Sequence, residues 1–323
     1  MSASLERPET VEDGSLFGSN VGVLLAFHLL LPLALIPALF SWTGVALVFL
    51  GNYVFGTLGI NIGYHRLLTH RSFRCPPWLE HVFAVLGICS IQDSPTRWVG
   101  IHRMHHQHSD TRPDPHSPLV GFFWGHMGWL FYKNRGPGRQ EASAHYAKDL
   151  LEDPFYAALH RHRLWFWVWM AHAALFFGAG ALAGWARTGT GSGALLSGLS
   201  IFVWGVVVRT VYVWHITWSV NSVAHRWGYR NYETTENSRN HWLVALLTNG
   251  EGWHNNHHAH QRSAAHGHQW WEFDLTYATI RLLRAVGLAW DVVEPSVPAR
   301  LRGPHQPLST PVPTGHHDRQ DVA

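Results

Sequence analysis

The sequence predicts an all-α integral membrane protein, with four transmembrane helices in two hairpins and a cytosolic helical cap that holds a dinuclear metal site. Three observations predict it. Two long blocks of the 323-residue chain are almost free of charge. Arginines flank these blocks mainly on one side. Histidines number 26 against 24 lysines and arginines, and the dense ones recur at helical spacing outside the apolar blocks.

Residues 1–15 are polar and acidic, which predicts a disordered N-terminus and no secretory leader. Residues 20–64 form the first apolar block, about twice the ~20 residues that span a bilayer. Ser41-Trp42-Thr43-Gly44 offers a turn near its middle, so residues 16–64 make one hairpin with spans at 20–40 and 43–64. The second block, 164–220, holds LWFWVWMAHAALFFGAGALAGWA, a Gly/Ser-rich turn at 188–193, and a span at 194–220. Arg66, Arg71, Arg74, Arg161, Arg163, Arg226 and Arg230 flank the spans on one side, against only Arg187 on the other. The excess places segments 65–163 and 221–295, the two parts of the cap, in the cytoplasm with both termini. VFAVLGICSIQ (82–92) and WLVALLT (242–248) are apolar but too short to span, and fit interfacial or re-entrant helices. Arg209 falls inside span four, where a charge is costly, so it is expected to pack against a polar neighbour. Residues 296–323 are rich in Pro and His without apolar periodicity and read as a disordered tail, with His316 and His317 solvated.

Composition limits the function classes. A net charge of +3 points away from nucleic acid, and a mean hydropathy near zero joins apolar spans to a large polar part. The 18 Trp and 16 Phe suit a membrane interface or an apolar core. Cys75 and Cys89 are too few for a disulfide framework, which implies a reducing compartment.

Four histidine groups carry the chemistry. They are Y-H-R-L-L-T-H (His65, His70), H-R-M-H-H (His102, His105, His106), N-S-V-A-H (Asn221, His225) and G-W-H-N-N-H-H (His254, His257, His258). The second and fourth repeat at i, i+3, i+4, so each sets three imidazoles on one helix face. His65 and His70 stand about 140° apart on an α-helix, so the helix is expected to end or fray between them. Nine imidazoles are too many for one metal and suit two, with four or five nitrogens each. Imidazole suits Zn, Cu, Fe and Ni. No H-E-x-x-H and no cysteine set of a structural zinc site is present. A His-rich pair at a membrane surface fits iron that activates oxygen.

These motifs, together with D-P-H-S-P (114–118), G-F-F-W-G-H-M-G-W-L (121–130) and G-E-G-W-H-N-N-H-H (250–258), closely resemble the integral-membrane fatty acyl desaturases, nearest the delta-9, stearoyl-CoA type and its bacterial acyl-lipid relatives. The resemblance covers about residues 52–290. It implies a di-iron site with two Fe ions and O2 as co-substrate, the nine histidines as ligands, and Asn221 meeting one iron through a water. It implies removal of two hydrogens from adjacent methylenes of a C16–C18 chain, carried by CoA, acyl carrier protein or a glycerolipid. It also implies a tunnel whose bend is lined by Gln92, Trp98 and Thr217. Trp98 lies one helical turn before His102, and Thr217 one turn before Asn221. Tyr53 and Thr57 lie three and two turns before His65 and are expected to close the blind end.

Outer ring nitrogens of metal-binding histidines need acceptors, and Glu251, Asp110, Asp114 and Asp274 are the candidates. No cytochrome b5-like or ferredoxin-like segment is expected, so electrons come from a separate donor of either type with its reductase. Arg135, Arg139 and Lys148 are candidates to dock it. A hydroxylase, an acetylenase or an alkane-type monooxygenase with the same site remains open. A metal-transport protein would place its ligands within the spans, where His28, His172 and His215 fall singly.

Overall fold

The computed structural model describes residues 5–9, 11–134, 145–161 and 163–296. The expected tail from residue 297, with His316 and His317, and the docking candidates Arg135 and Arg139 lie outside the described residues. Among the described residues, four helices are long and apolar enough to cross a membrane: Gly18–Leu35, Trp42–Thr69, Leu164–Thr188 and Gly191–Ser222. Lipid gives a peptide group no hydrogen-bonding partner, so uncharged runs of this length close their bonds internally as helices. Pro32 and Pro37 tighten the end of the first into 3₁₀ turns, Leu31–Leu35 and Pro37–Leu39. Ser41 starts the second by accepting from the Gly44 amide at 2.9 Å, and Thr190 starts the fourth by accepting from Gly193 at 3.1 Å.

The first and third helices turn most of their surface outward, and Leu29, Leu35, Leu175 and Leu182 are 69–83% exposed. The second and fourth are more buried and, at 28 and 32 residues, exceed the ~20 that a bilayer requires. Their C-terminal turns therefore run on into the polar segments, carrying His65 and leading to His225. Small residues let the third and fourth helices touch: a Cβ on Gly180 would sit 2.7 Å from the Ser197 carbonyl oxygen, and one on Gly184 2.4 Å from that of Gly193.

Asn52–Thr69 of the second span and Val203–Val208 of the fourth are π-helical, with i→i+5 bonds in place of i→i+4. Pro77–Ile88 and Trp242–Leu247 are the two short apolar helices. The first begins five residues before the expected 82, because Pro77 fixes its opening turn. It lies against the second span, where a Cβ on Gly59 would come within 2.4 Å of the Gly87 amide nitrogen. Arg209 is fully buried and finds its polar neighbours in the carbonyls of Gly205 (3.0 Å) and Cys89 (2.8 Å) and in His172 Nε2 (3.2 Å), with its guanidinium 4.4 Å from the Phe55 ring centre. Cys89 ends the Pro77–Ile88 helix, so the cation also meets the negative end of that helix dipole.

The chain is mostly helical but not wholly so. Val11–Leu16, in the stretch expected to be disordered, pairs antiparallel with Tyr132–Asn134. Composition there is polar, but the partner strand supplies the backbone bonds that composition does not foresee. Arg66, counted among the flanking charges, is completely buried.

The backbone contact at Gly59 leaves no flexible group to yield. Gly59→Ala is expected to cost about 1–3 kcal/mol, measured as a lower melting temperature in detergent. Gly178→Ala, inside Leu164–Thr188 and meeting open space, is expected to hold or slightly raise the melting temperature, since Ala is the better helix former.

Candidate metal centre

The nine histidines of the four sequence groups fall into two clusters. The nitrogens of His65, His70, His102, His106 and His257 lie within 4.8 Å of one another, as do those of His105, His225, His254 and His258. Two helices straddle both, one of 14 residues and one of six. Pro95–His108 gives His102 and His106 to the first group and His105 to the second. His254–Ala259 reverses the ratio, giving His257 to the first and His254 and His258 to the second. Ser94 and Pro95 start the former, the serine accepting from the Arg97 amide.

His65 and His70 converge where the helix ends: its last residue is Thr69, and His70 is the C-cap. The π-helical bonding makes the His70 amide donate to the His65 carbonyl at 3.2 Å, and the rings stand 4.8 Å apart. An α-helix, with i→i+4 bonds, would have separated them. Asn221 lies half-buried in the last turn of the fourth span, one turn before His225.

Carboxylates fix three rings from outside. Glu251 accepts from His65 Nδ1 at 2.6 Å, Asp114 from His105 Nδ1 at 3.0 Å and Asp110 from His225 Nδ1 at 3.1 Å. Their opposite Nε2 atoms then carry bare lone pairs in the neutral ring. His65 Nε2 faces His257 Nε2 at 3.2 Å, and His225 Nε2 faces His254 Nε2 at 3.0 Å. His106 Nε2 lies 3.0 Å from both His102 Nε2 and His257 Nε2. One proton per neutral ring cannot serve such a ring of contacts. The buried Nε2 atoms of His70 and His105 have no partner at all. Inward lone pairs at this density fit a shared cation in each group, and all-imidazole donors suit a transition metal.

Burial is the main cause that pushes His70, His102, His106, His254, His257 and His258 well below the ordinary imidazole range, with neighbouring histidines adding to it. These rings are neutral and offer lone pairs without proton competition. The carboxyls behave oppositely. Burial raises Glu251, but Arg66, His266 and His65 outweigh it and hold it well below the carboxylate range. Asp110 and Asp114 are held down against burial by His225 and His105, respectively.

Asp274 does not reach a ring. It caps Leu275–Ala285 through the Tyr277 amide (2.8 Å) and pairs with Arg66 (2.9 Å), which in turn holds Glu251 (2.9 Å). Its influence on His65 therefore passes through two ions. Sequence reasoning missed Glu236, 3.7 Å from His258 Nδ1 and 3.9 Å from His225 Nδ1. It also missed two buried histidines. His266 lies 3.2 Å from Glu251 with its ring 4.3 Å from that of His257, and His116 stacks 4.4 Å from His105. The quoted D-P-H-S-P motif held the only signal, for His116.

Gln92, Trp98 and Thr217 meet. Trp98 Nε1 donates to Gln92 Oε1 and Gln92 Nε2 to Thr217 Oγ1, both at 3.2 Å, and Trp98 stacks on His102 at 4.9 Å. Ile91 (φ 47°) and Asp93 (φ 79°) flank Gln92 in the left-handed region, a conformation costly for a β-branched residue and held by its surroundings. Tyr53 bonds Thr279 (3.0 Å) and Thr57 accepts from Asn249 (2.7 Å). Because this stretch is π-helical, the α-helical alignment of both with His65 does not apply. His28 and His215 are not single either: His28 Nε2 meets His215 Nε2 at 3.0 Å, and His215 Nδ1 meets His126 Nε2 at 2.9 Å.

Asp114→Asn leaves His105 without its carboxylate, and metal affinity at the second group is expected to fall 10–100-fold, read by metal content per chain. For the metal-free protein, the unfolded chain binds protons near pH 6.5 that the six neutral rings refuse, so stability falls as pH drops below that value. The melting temperature is expected to decline from about pH 7 to about pH 5. A flat profile would show solvated rings.

The fatty acid desaturase family profile matches residues 20–290. The sn-1 stearoyl-lipid 9-desaturase of Anabaena variabilis is 44% identical over 292 residues, 90% of this chain and 96% of the relative. The enzyme of the same name from Synechocystis sp. is 43% identical over 270 residues, 84% of this chain and 78% of its own. The sn-2 palmitoyl-lipid 9-desaturase of Nostoc sp. is 40% identical over 287 residues, 88% and 93% of the two chains. With its histidines gathered in two groups and this similarity along most of its length, the chain belongs to the fatty acid desaturase family.

Proposed function

We propose that this chain is an O2-dependent acyl-lipid desaturase that inserts a cis double bond at the delta-9 position of a C16–C18 chain. The observation that carries the proposal is two facing groups of converging imidazole nitrogens in a member of this family. His65, His70, His102, His106 and His257 would hold one iron. His105, His225, His254 and His258 would hold the other, with Asn221 reaching it through a water. When bound, the iron pair supplies, from O2 and two electrons, an oxidant able to break an alkyl C–H bond. A separate ferredoxin- or cytochrome b5-type donor with its reductase brings the electrons. The four apolar helices form two hairpins across the bilayer, and the polar segments form a cap on its cytoplasmic face. Names of three relatives as stearoyl-lipid and palmitoyl-lipid desaturases favour a glycerolipid as the acyl carrier over CoA or acyl carrier protein.

The remaining residues work by positioning. Identical methylenes offer no polar handle, so the chain must be held at a fixed distance from its headgroup. The Gln92–Trp98–Thr217 set, braced by strained neighbours and stacked on His102, is placed to bend it beside the metals. Glu251, Asp114 and Asp110 keep the proton on Nδ1 of His65, His105 and His225, so each Nε2 stays free for metal. Burial of both groups excludes water from the oxidising site. Tyr53 and Thr57 close the far end of the tunnel.

Expression in a host lacking unsaturated fatty acids, with mass-spectrometric location of new double bonds, tests the reading. The expected product is a delta-9 monounsaturated acyl group in glycerolipid. A hydroxylated chain, or no new product, overturns it. Thr57→Ile is expected to shorten the longest chain accepted, and an unchanged chain-length profile removes Thr57 from the tunnel end.

A further inference from the structure

We infer that Glu272 and Asn256 are positioning residues that set the rotation of the helix His254–Ala259, and through it the geometry of both metal groups. The inference rests on the nine histidines being the metal ligands.

This helix carries three of the nine histidines yet has little means of holding itself in place. It is six residues long and has no side-chain N-cap. Isolated helices of that length do not form in water. Its rings are also loose on their outer side. Nδ1 of His254 and Nδ1 of His257 have no hydrogen-bond partner, and the Glu236 oxygen nearest His258 Nδ1 lies at 3.7 Å. His65, His105 and His225, by contrast, are each pinned by a carboxylate. The orientation of His254, His257 and His258 must therefore come from the back of the helix.

That back is two asparagines, both fully buried. Asn256 fills every hydrogen-bonding position it has. Its Oδ1 accepts from Asn231 Nδ2 (2.9 Å) and Asn240 Nδ2 (2.8 Å), and its Nδ2 donates to the His266 carbonyl (2.8 Å) and Glu272 Oε2 (2.7 Å). Asn255 Oδ1 accepts from the amides of Asn231 and Tyr232, each at 2.8 Å. Glu272 is the hub. It is buried and accepts from Tyr229 Oη (2.6 Å), Asn231 Nδ2 (2.8 Å), Asn256 Nδ2 (2.7 Å) and the backbone amides of His268 (2.7 Å) and Gln269 (2.9 Å). One carboxylate thus binds the 229–231 stretch, the ligand helix and the 268–269 turn into one unit. Because the helix gives His257 to one group and His254 and His258 to the other, a rotation of it displaces donors at both.

An amide at position 272 cannot take the carboxylate's place, since its NH2 would point at donors on one side or the other. Purified chains loaded with ferrous iron are compared for iron per chain and for the rate of iron release to a chelator. Glu272→Gln is expected to bind less than the wild-type amount of iron and to release it 10–100-fold faster, the range for loss of a group that orients a metal ligand. Tyr229→Phe removes one of the five donors and is expected to give an intermediate rate. It alone decides the matter if Glu272→Gln does not fold. Ser200→Ala removes a buried 2.8 Å bond to the Leu39 carbonyl, in the spans and away from the ligand helix, and is expected to release iron at the wild-type rate. Wild-type release by the folded variants at 272 and 229 overturns the inference, as does equally fast release by Ser200→Ala. A wild-type chain that binds no iron overturns the metal reading itself, a result distinct from these.

Discussion

Nine imidazoles can crowd into two small volumes only while they are neutral and their lone pairs converge. The buried carboxylates around the histidine groups serve that constraint. A charged ring would repel its neighbours across 3–5 Å in a low-dielectric interior, and burial keeps six of the nine deprotonated: His70, His102, His106, His254, His257 and His258. A neutral ring, however, has two tautomers, and the wrong one would aim an N–H rather than a lone pair into the middle of its group. Glu251, Asp114 and Asp110 remove the ambiguity at three rings by claiming the Nδ1 proton. Each buried carboxylate then needs its own support. Glu251 and Asp274 share Arg66, whose guanidinium makes four contacts with them and one with the Ala264 carbonyl. Removing one member of such a set strands a buried charge, which costs more than the set contributes while intact.

Helix geometry does the gathering. The H-x-x-H-H repeat turns three rings to one side of an α-helix, and two such helices, one long and capped, one short and braced from behind, face each other with reciprocal shares of the two groups. The second span solves a different problem. Residues five apart do not share an α-helical face, and the π-helical stretch Asn52–Thr69 brings His65 and His70 together through their own backbone bond. The wider helix is less favourable, and packing against Pro77–Ile88 through Gly59 and Gly63 accompanies it.

Arg209, His28 and His215, within the apolar helices, are also partnered. Arg209 has no carboxylate within bonding distance among the described residues; two carbonyls, an imidazole, an aromatic face and a helix C-terminus surround it instead. His28 and His215, on different spans, pair with one another and continue to His126 and Ser222. An unpartnered imidazole at that depth would be expensive, so pairing across spans also fixes their mutual rotation.

The sequence by itself determined the four apolar helices, because lipid-compatible length and absence of charge are properties of a local run. It marked six of the nine histidines as well, His102, His105, His106, His254, His257 and His258, because i, i+3, i+4 spacing is local geometry. It pointed to Gln92, Trp98 and Thr217 through a family pattern, and 125 residues of chain separate the hydrogen-bonded Gln92 and Thr217. What it did not hold was anything that depends on non-local partners. The strand at Val11–Leu16 exists because Tyr132–Asn134 lies beside it. Asp274 serves Arg66 and a helix cap and touches no ring. Arg66 reads as a flanking charge until Glu251 and Asp274 are seen to enclose it. Glu272, Glu236 and His266 carry no spacing signal at all. Tertiary structure alone decided how the nine histidines divide and which carboxylate holds which ring. Both depend on distances across folded segments, and a one-dimensional pattern records only distances along the chain.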